Sequence, residues 1–302
     1  MKIGYLVLVY NELDYTKKTF ESIKKQNQSK YSFDIYCIDN DSRKEISEEL
    51  QKYCQLNQIK YLRQEKNTGY AGGNNFGWRY LRSLGYDYIF IANNDIELLD
   101  TSITENIIDK FLENDSKVSI IGTHLVDKDS NPVKYSRFHQ FIMKKEKINN
   151  FNNTSLLAVP TVIGCFFCIK TDSWKSDVLF TESFFMYSEE QDLEYKLMKD
   201  GKYVTILKDV NKVVKHYGGF FDFSTQKDWA IYLNIRNCIL TLRIFNRKNQ
   251  FLYFLIYFLL ICKFFLVYKR PIILKGFIKG VSLLNKNDEL IAKDAINKIM
   301  KK

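Results

Sequence analysis

The sequence predicts an α/β fold, a mostly parallel sheet flanked by helices, followed by a helical C-terminal extension. Three observations carry this prediction. Over the first hundred residues, short apolar runs alternate with stretches of helical spacing, the pattern of βαβ units. Two of those runs stop abruptly on amides and carboxylates, at Asp39-Asn40-Asp41-Ser42 and at Asn93-Asn94-Asp95. The whole net charge of +10 lies in the last sixty residues, which also hold the longest apolar run.

The elements follow in order. Ile3–Val9 reads as a strand, then comes Tyr10-Asn11-Glu12. Tyr15–Gln26 has helical spacing, Phe33–Ile38 is a second strand, Glu45–Gln55 a helix and Ile59–Leu62 a third strand. Asn67 to Gly77 reads as a Gly/Asn-rich loop leading into a helix over Trp78–Leu84. The run from Tyr86 to Glu97 is an apolar strand bounded by polar residues, which suits a buried position in a parallel sheet. Ligands of open α/β sheets bind just outside the carboxyl ends of the strands. Asp95 and Glu97 are therefore placed where a divalent cation and a charged ligand could meet, since hard cations take oxygen ligands. If both polar clusters belong to one sheet they share one rim. The first could hold a base and ribose, the second a diphosphate through a metal.

Beyond residue 100 the pattern loosens. Ile103–Leu112 is helical and Val118–Gly122 a strand. Residues 127–155 are polar, with a turn at Asp129–Pro132, and read as a loop over a site. Val162–Ile169 is a strand. Phe184–Ser188 runs into Glu189-Glu190-Gln191-Asp192, which opens a helix over Leu193–Lys199 that Gly201 caps. Acids at such a position are ordinarily explained by the helix dipole. Tyr203–Leu207 is a strand, and a lone His216 precedes Gly218-Gly219.

Other classes fit poorly. Cys165 and Cys168 are the one close cysteine pair, and on a strand they point to opposite faces, against a zinc knuckle or a redox turn. No disulfide framework is implied, which suits a reducing compartment. The apolar start at Ile3–Tyr10 is short and cut by Asn11-Glu12, so it does not read as a signal peptide. The glycines of residues 69–77 do not give G-x-G-x-x-G and follow the third strand rather than the first, against a dinucleotide fingerprint.

Together these motifs resemble family 2 glycosyltransferases of the GT-A fold, a Rossmann-like architecture. The matching residues are Tyr10-Asn11, Asp39-Asn40-Asp41-Ser42, Asn67-x-Gly69-x-x-Gly72-Gly73-x-Asn75-x-Gly77, Asn93-Asn94-Asp95, Glu189-Glu190-x-Asp192-Leu193, Gly201 and His216. They occur in the family's order over residues 1–220, and look most like the branch with bacterial rhamnosyltransferases and galactofuranosyltransferases. The resemblance implies an inverting, metal-dependent transfer from a nucleotide diphosphate sugar to a surface-polysaccharide or lipid-linked glycan. It implies nucleotide-sugar binding by Tyr10, Asn11, Asp39, Asn40, Asn67, Gly72, Gly73, Asn75, Asn93 and Asn94. Asp95 would bind Mg²⁺ or Mn²⁺, with His216 completing the metal site. Asn93 stands where the family often has Asp, leaving fewer charges on the metal. Glu190 falls where many members have the catalytic Asp, with Glu189 and Asp192 as rivals. A non-catalytic nucleotide-sugar-binding or scaffold subunit that kept the GT-A shell is the alternative. The expected organisation is a catalytic domain over 1–225, divided into a nucleotide-binding half (1–100) and an acceptor-binding half (101–225), then an extension over 226–302.

Residues 243–302 carry 13 Lys/Arg and 3 Asp/Glu, and 1–242 balance. Such asymmetry points to a polyanionic partner. The apolar run Phe251–Tyr268, flanked by Arg247-Lys248 and Lys269-Arg270, favours an anionic membrane surface over nucleic acid. Positive charge on both flanks argues against a span. Helices lying on the cytoplasmic face of a bacterial cell membrane are the expectation, with packing on the catalytic domain or a second copy in a homodimer as the other reading. Tyr232-x-x-x-Arg236-Asn237 precedes this tail. It resembles an element found after the catalytic domain in this branch, where Arg236 could approach an acceptor phosphate or sit in a structural ion pair.

Overall fold

The computed structural model describes residues 1–114, 117–133, 151, 153–218, 221–245 and 247–300. Most of the expected loop over 127–155, and Gly219, lie outside the described residues. The chain forms two compact units. The first comprises Met1–Thr68, Gly73–Leu179 and Glu194–Gly219; the second comprises Gly69–Gly72, Phe180–Leu193 and Phe220–Lys302. Gly69–Gly72 and Phe180–Leu193 thus cluster with the C-terminal helices.

The first unit is built on strands β1 (Ile3–Val9), β2 (Asp34–Asp39), β3 (Lys60–Arg63) and β4 (Tyr88–Asn93), interleaved with α1 (Asp14–Lys24), α2 (Lys44–Leu56) and α3 (Gly69–Ser83). There follow β5 (Ile96–Leu98), α4 (Ile103–Glu113), β6 (Val118–Gly122), β7 (His124–Val126), β8 (Leu156–Ala158) and β9 (Phe166–Lys170). Helix α5 (Glu189–Lys199) precedes β10 (Tyr203–Leu207) and β11 (Val213–His216). The main sheet has the order β3-β2-β1-β4-β9-β6-β10-β8, and β5-β11-β7 form a small second sheet.

Nearly every residue of β1 is buried, as a central strand covered on both faces requires. It pairs in parallel with β2 on one side and β4 on the other, with Val9 opposite Asp39 and Leu8 opposite Asn93. The two polar clusters therefore do share a rim. Chain order runs outward from β1 through β2 and β3, then jumps to β4 on the other side, so the rim lies at the switch point where α/β sheets bind ligands. Tyr5 stacks on Phe90 at 4.4 Å between centroids, and its hydroxyl meets Thr104 at 2.6 Å, so this buried aromatic pair keeps the polar tip of Tyr5 satisfied.

Three sequence expectations are corrected. The Gly/Asn stretch is not a loop, because α3 already starts at Gly69. A Cβ on Gly77 would approach Leu6 Cγ to 2.7 Å and Ile38 Cγ1 to 3.0 Å; one on Gly73 would reach Asn40 Nδ2 at 3.2 Å. The helix lies almost on the strands, and this packing offsets the ~1 kcal/mol each interior glycine costs. The strand expected over Val162–Ile169 begins only at Phe166, and it runs antiparallel to both β4 and β6. Finally, α5 starts at Glu189, so the acids lie inside its first turn rather than before it.

The second unit contains helices α6 (Asp228–Leu240), α7 (Arg247–Tyr268), α8 (Pro271–Leu283) and α9 (Asp288–Met300). Phe184, Leu240, Leu283 and Ile291 form part of its core. Gly276 and Gly280 let α8 approach the backbone of α6: added Cβ atoms would come within 2.9 Å of the Tyr232 and Arg236 carbonyl oxygens. Along α7, Tyr253, Tyr257 and Ile261 are buried at a spacing of four, while Phe251, Leu255, Phe258, Leu259, Leu266 and Val267 are exposed. Its stretch Gln250–Tyr268 is long and apolar enough to cross a membrane by length and composition.

Candidate active site

The sequence-predicted site residues divide between the units. In the first, Asn11 takes a left-handed backbone (φ 56°), which Asn tolerates better than most residues. Its N–H donates to Ser42 Oγ at 2.9 Å, and its Oδ1 accepts from the Arg43 N–H at 2.7 Å. Loops after β1 and β2 are thereby fastened together, leaving Tyr10 exposed beside them.

Asp39 closes β2 with a fully buried carboxylate. It accepts from Tyr61 Oη at 2.6 Å, Arg63 Nη1 at 2.9 Å and the Ser42 N–H at 2.8 Å. Burial would raise its pKa, but the bonds from Tyr61, Ser42 and Ser47 outweigh that and hold it below the usual carboxylate range. Asn40 Oδ1 accepts from Gln64 Nε2 at 2.8 Å and from the Thr68 N–H at 3.1 Å, and its Nδ2 donates to Asn67 at 3.1 Å. Asp39, Asn40 and Asn67 thus brace the rim through their own side chains. Tyr61 and Arg63 were missed in the sequence; only the register of β3 against β2, Arg63 opposite Asp39, brings them there. Asn75 is buried and accepts from the Leu179 N–H at 2.9 Å.

β4 ends on Asn93, and a tight turn follows it with Asn94 and Asp95. Helix α1 pins it: Thr19 Oγ1 accepts from the Ile96 N–H at 3.0 Å and donates back to its carbonyl at 2.7 Å, and Asn94 Nδ2 reaches Thr16 Oγ1 at 2.9 Å. Antiparallel pairing of β11 with β5 sets His216 opposite Ile96. Asp95 Oδ1 then lies 3.2 Å from His216 Nε2. That oxygen is buried and accepts no hydrogen bond. Donor atoms held at adjacent positions of one Mg²⁺ or Mn²⁺, each near 2.1 Å, stand roughly 3 Å apart. Gly218 adds a cradle, because a Cβ there would collide with Asp95 Oδ2. Two protein donors suit cations that keep waters and phosphate oxygens as their remaining ligands. Glu97 is diverted from this role: it accepts from the Tyr217 hydroxyl, whose pKa that carboxylate pushes up to about 12.

In the second unit the acids of α5 differ sharply. Glu189 is 2% exposed and Asp192 5%, whereas Glu190 is partly exposed. Asp192 Oδ2 accepts from Thr181 Oγ1 at 2.5 Å. Burial first, and the charge of Glu190 second, raise the Glu189 carboxyl well above its ordinary value. Glu190 is thus the acid of the three with access to a ligand. Arg236 is corrected as an acceptor-phosphate contact: it is fully buried and its Nη1 pairs with Asp294 at 3.0 Å.

A family model described as glycosyl transferase family 2 matches residues 6–174, more than half of the chain. The chain belongs to glycosyl transferase family 2. It is 26% identical over 207 residues to the low-salt glycan biosynthesis hexosyltransferase Agl10 of Haloferax volcanii, a match covering 66% of the chain and 64% of the relative. The chain thus spans less than two thirds of that relative's length. The fold of the chain is similar to that of GalNAc-T7, solved with UDP, GalNAc and Mn²⁺ (TM-score 0.60, 14% identity, 82% of this chain and 49% of that one). It is similar too to that of the Pyrobaculum calidifontis mannosyltransferase PcManGT, solved with GDP-Man and Mn²⁺ (TM-score 0.58, 13% identity, 99% and 74%). These are GT-A folds, as expected from the sequence.

Proposed function

We propose that the protein transfers a hexosyl group, with inversion, from a nucleotide diphosphate sugar to a surface-polysaccharide or lipid-linked glycan. The observation that carries this reading is the Asp95–His216 pair at the switch point of the sheet, in which the buried Asp95 Oδ1 accepts no hydrogen bond and stands 3.2 Å from His216 Nε2. Its relatives support the donor class: the Haloferax protein is named a hexosyltransferase, and the solved neighbours hold UDP or GDP-Man with Mn²⁺.

Asp95 and His216 would hold Mg²⁺ or Mn²⁺, which when bound offsets the negative charge that develops on the departing diphosphate. The braced rim of Asn11, Asp39 and Asn40 would keep the nucleotide in one pose without reorganising. Glu190 would take the proton of the attacking hydroxyl, for which a carboxylate in the charged form is the suitable acceptor. Nucleotide release should be measured with UDP-, dTDP- and GDP-sugars side by side. One donor class is expected to turn over, to stop in EDTA and to resume with Mn²⁺ or Mg²⁺. Full turnover in chelator would remove the metal role, and no turnover with any donor in the presence of an acceptor pool would favour the scaffold reading.

The exposed apolar face of α7 is proposed to lie on an anionic membrane at the cytoplasmic face. Exposed Lys263, Lys269 and Lys275 supply the matching charge. Sedimentation with phosphatidylglycerol vesicles is expected for the full chain, and weaker by about tenfold or more for Phe258→Glu/Leu266→Glu, each glutamate opposing burial of that face. Equal sedimentation of both would sink this placement.

A further inference from the structure

The segment in front of the acids is strained. Phe185 (φ 67°, ψ −54°), Tyr187 (φ 74°) and Ser188 (φ 70°) all have positive φ, and none is glycine. Such conformations are strained and persist only where their surroundings over-determine them. The carbonyls of Phe184, Met186 and Tyr187 need donors from outside the segment.

Those donors come from α6. Asn237 is fully buried, and its Nδ2 donates to the carbonyls of Phe184 at 3.0 Å, Met186 at 2.8 Å and Tyr187 at 2.9 Å. Two N–H groups are thus shared among three acceptors. Asn237 is oriented in turn: its Oδ1 accepts from Arg236 Nε at 2.9 Å and Nη2 at 2.7 Å. Arg236 Nη2 also reaches the Ser183 and Phe184 carbonyls at 3.3 Å, and its Nη1 donates to the Ile291 carbonyl and to Asp294, each at 3.0 Å. Tyr232 Oη closes the set on Asp294 at 3.0 Å. From the other side, Gly69 (φ 73°) has no room for a Cβ against the Phe185 carbonyl, and the Ala71 N–H donates to that same oxygen at 3.1 Å.

We infer that Asn237, held by the Arg236–Asp294 pair, is a positioning residue that sets the first turn of α5 and with it the carboxylate of Glu190. The inference rests on the reading of Glu190 as the base. Its physical content is specific. Without the amide, the Met186 and Tyr187 carbonyls lose that donor and the Phe184 carbonyl keeps only Arg236 Nη2 at 3.3 Å, so the positive-φ segment relaxes and the helix start shifts. A misplacement on the order of 1 Å can cost about 10²-fold in rate.

Two measurements on the full chain test it. Amide hydrogen exchange over residues 183–190 should accelerate in Asn237→Ala while exchange in β1–β4 stays as in wild type. With the sugar nucleotide chosen by the donor screen, kcat should fall by about 10–100-fold at a donor KM within about twofold. In a Glu190→Gln background, Asn237→Ala should produce no further loss of kcat, since both act through one group. Should Asn237→Ala not fold, Asp294→Ala loosens the same clamp from α9 and is expected to move both readouts the same way, while Asp294→Asn, which keeps an acceptor for Arg236, restores them. Unchanged exchange over 183–190, or a kcat loss that follows the folded fraction alone, overturns the inference. Undiminished turnover by Glu190→Gln, with faster exchange in Asn237→Ala, would instead discard Glu190 as base and leave the clamp standing.

Discussion

Asp95→Ala is expected to lower transfer by about 10²–10³-fold, the range for removing one preorganised electrostatic group from a reacting centre. The expectation follows from the local geometry. Asp95 sits on a turn fixed by Thr16 and Thr19, and its Oδ1 is buried with no hydrogen bond to satisfy it. A carboxylate in that state costs free energy in the resting protein, and a cation beside it recovers that cost. Removing it should therefore leave the fold intact or slightly stabilised, while abolishing the response to Mn²⁺. Asp95→Asn keeps shape but loses charge, and should lose nearly as much activity. Gly218→Ala gives an independent reading of the same site, because its Cβ must displace Asp95 Oδ2. Weaker Mn²⁺ binding, followed by calorimetry or by the metal concentration for half-maximal turnover, is the measurement. Asp95→Ala with wild-type Mn²⁺ dependence would show that the metal is held elsewhere.

Glu190→Gln is expected to reduce kcat by about 10²–10⁴-fold, the span of general-base contributions. Amide and carboxylate have the same shape, so donor KM should stay close to wild type. The comparison with Glu189→Gln separates the two neighbours. Glu189 is buried with a raised pKa, so the folded state keeps its proton where the unfolded state, near 4.5, has lost it. In that window the native state binds more protons, and stability falls as pH rises. Glu189→Gln removes this dependence. Its melting temperature should exceed that of wild type by a margin that grows as pH rises above the unfolded value of 4.5, with transfer largely kept. The opposite pattern, lost transfer in Glu189→Gln and retained transfer in Glu190→Gln, would exchange their roles.

Strands β1, β2 and β4 were legible because each is a short apolar run with a polar stop, and burial on both faces leaves no other use for such a run. Helix α3 was misread because Gly73 and Gly77 disfavour a helix locally, and the close approach of Leu6, Leu8 and Ile38 that selects them is visible only after folding. Antiparallel β9 was seen as a strand, but its direction depends on the route the chain takes back to β4. At the site, Asp95 and His216 were paired through a family resemblance; strand pairing of β5 with β11 is what joins them. Arg63 and Tyr61 escaped notice because their meaning comes from a neighbouring strand. The positive-φ backbone at Phe185, Tyr187 and Ser188 left no glycine to announce it.

The clamp on that backbone has a consequence in time. A ribosome adds roughly 5–20 residues per second. When Ser183–Ser188 emerge, Asn237 is still unmade, and Asp294, which anchors Arg236, comes later again. The first unit's strands β1 to β4 can pair long before then, but the acid-bearing turn is obliged to wait for α6 and α9. Synthesis itself therefore orders the assembly: the rim forms early, and the strained turn gains its last support only once α9 has been released.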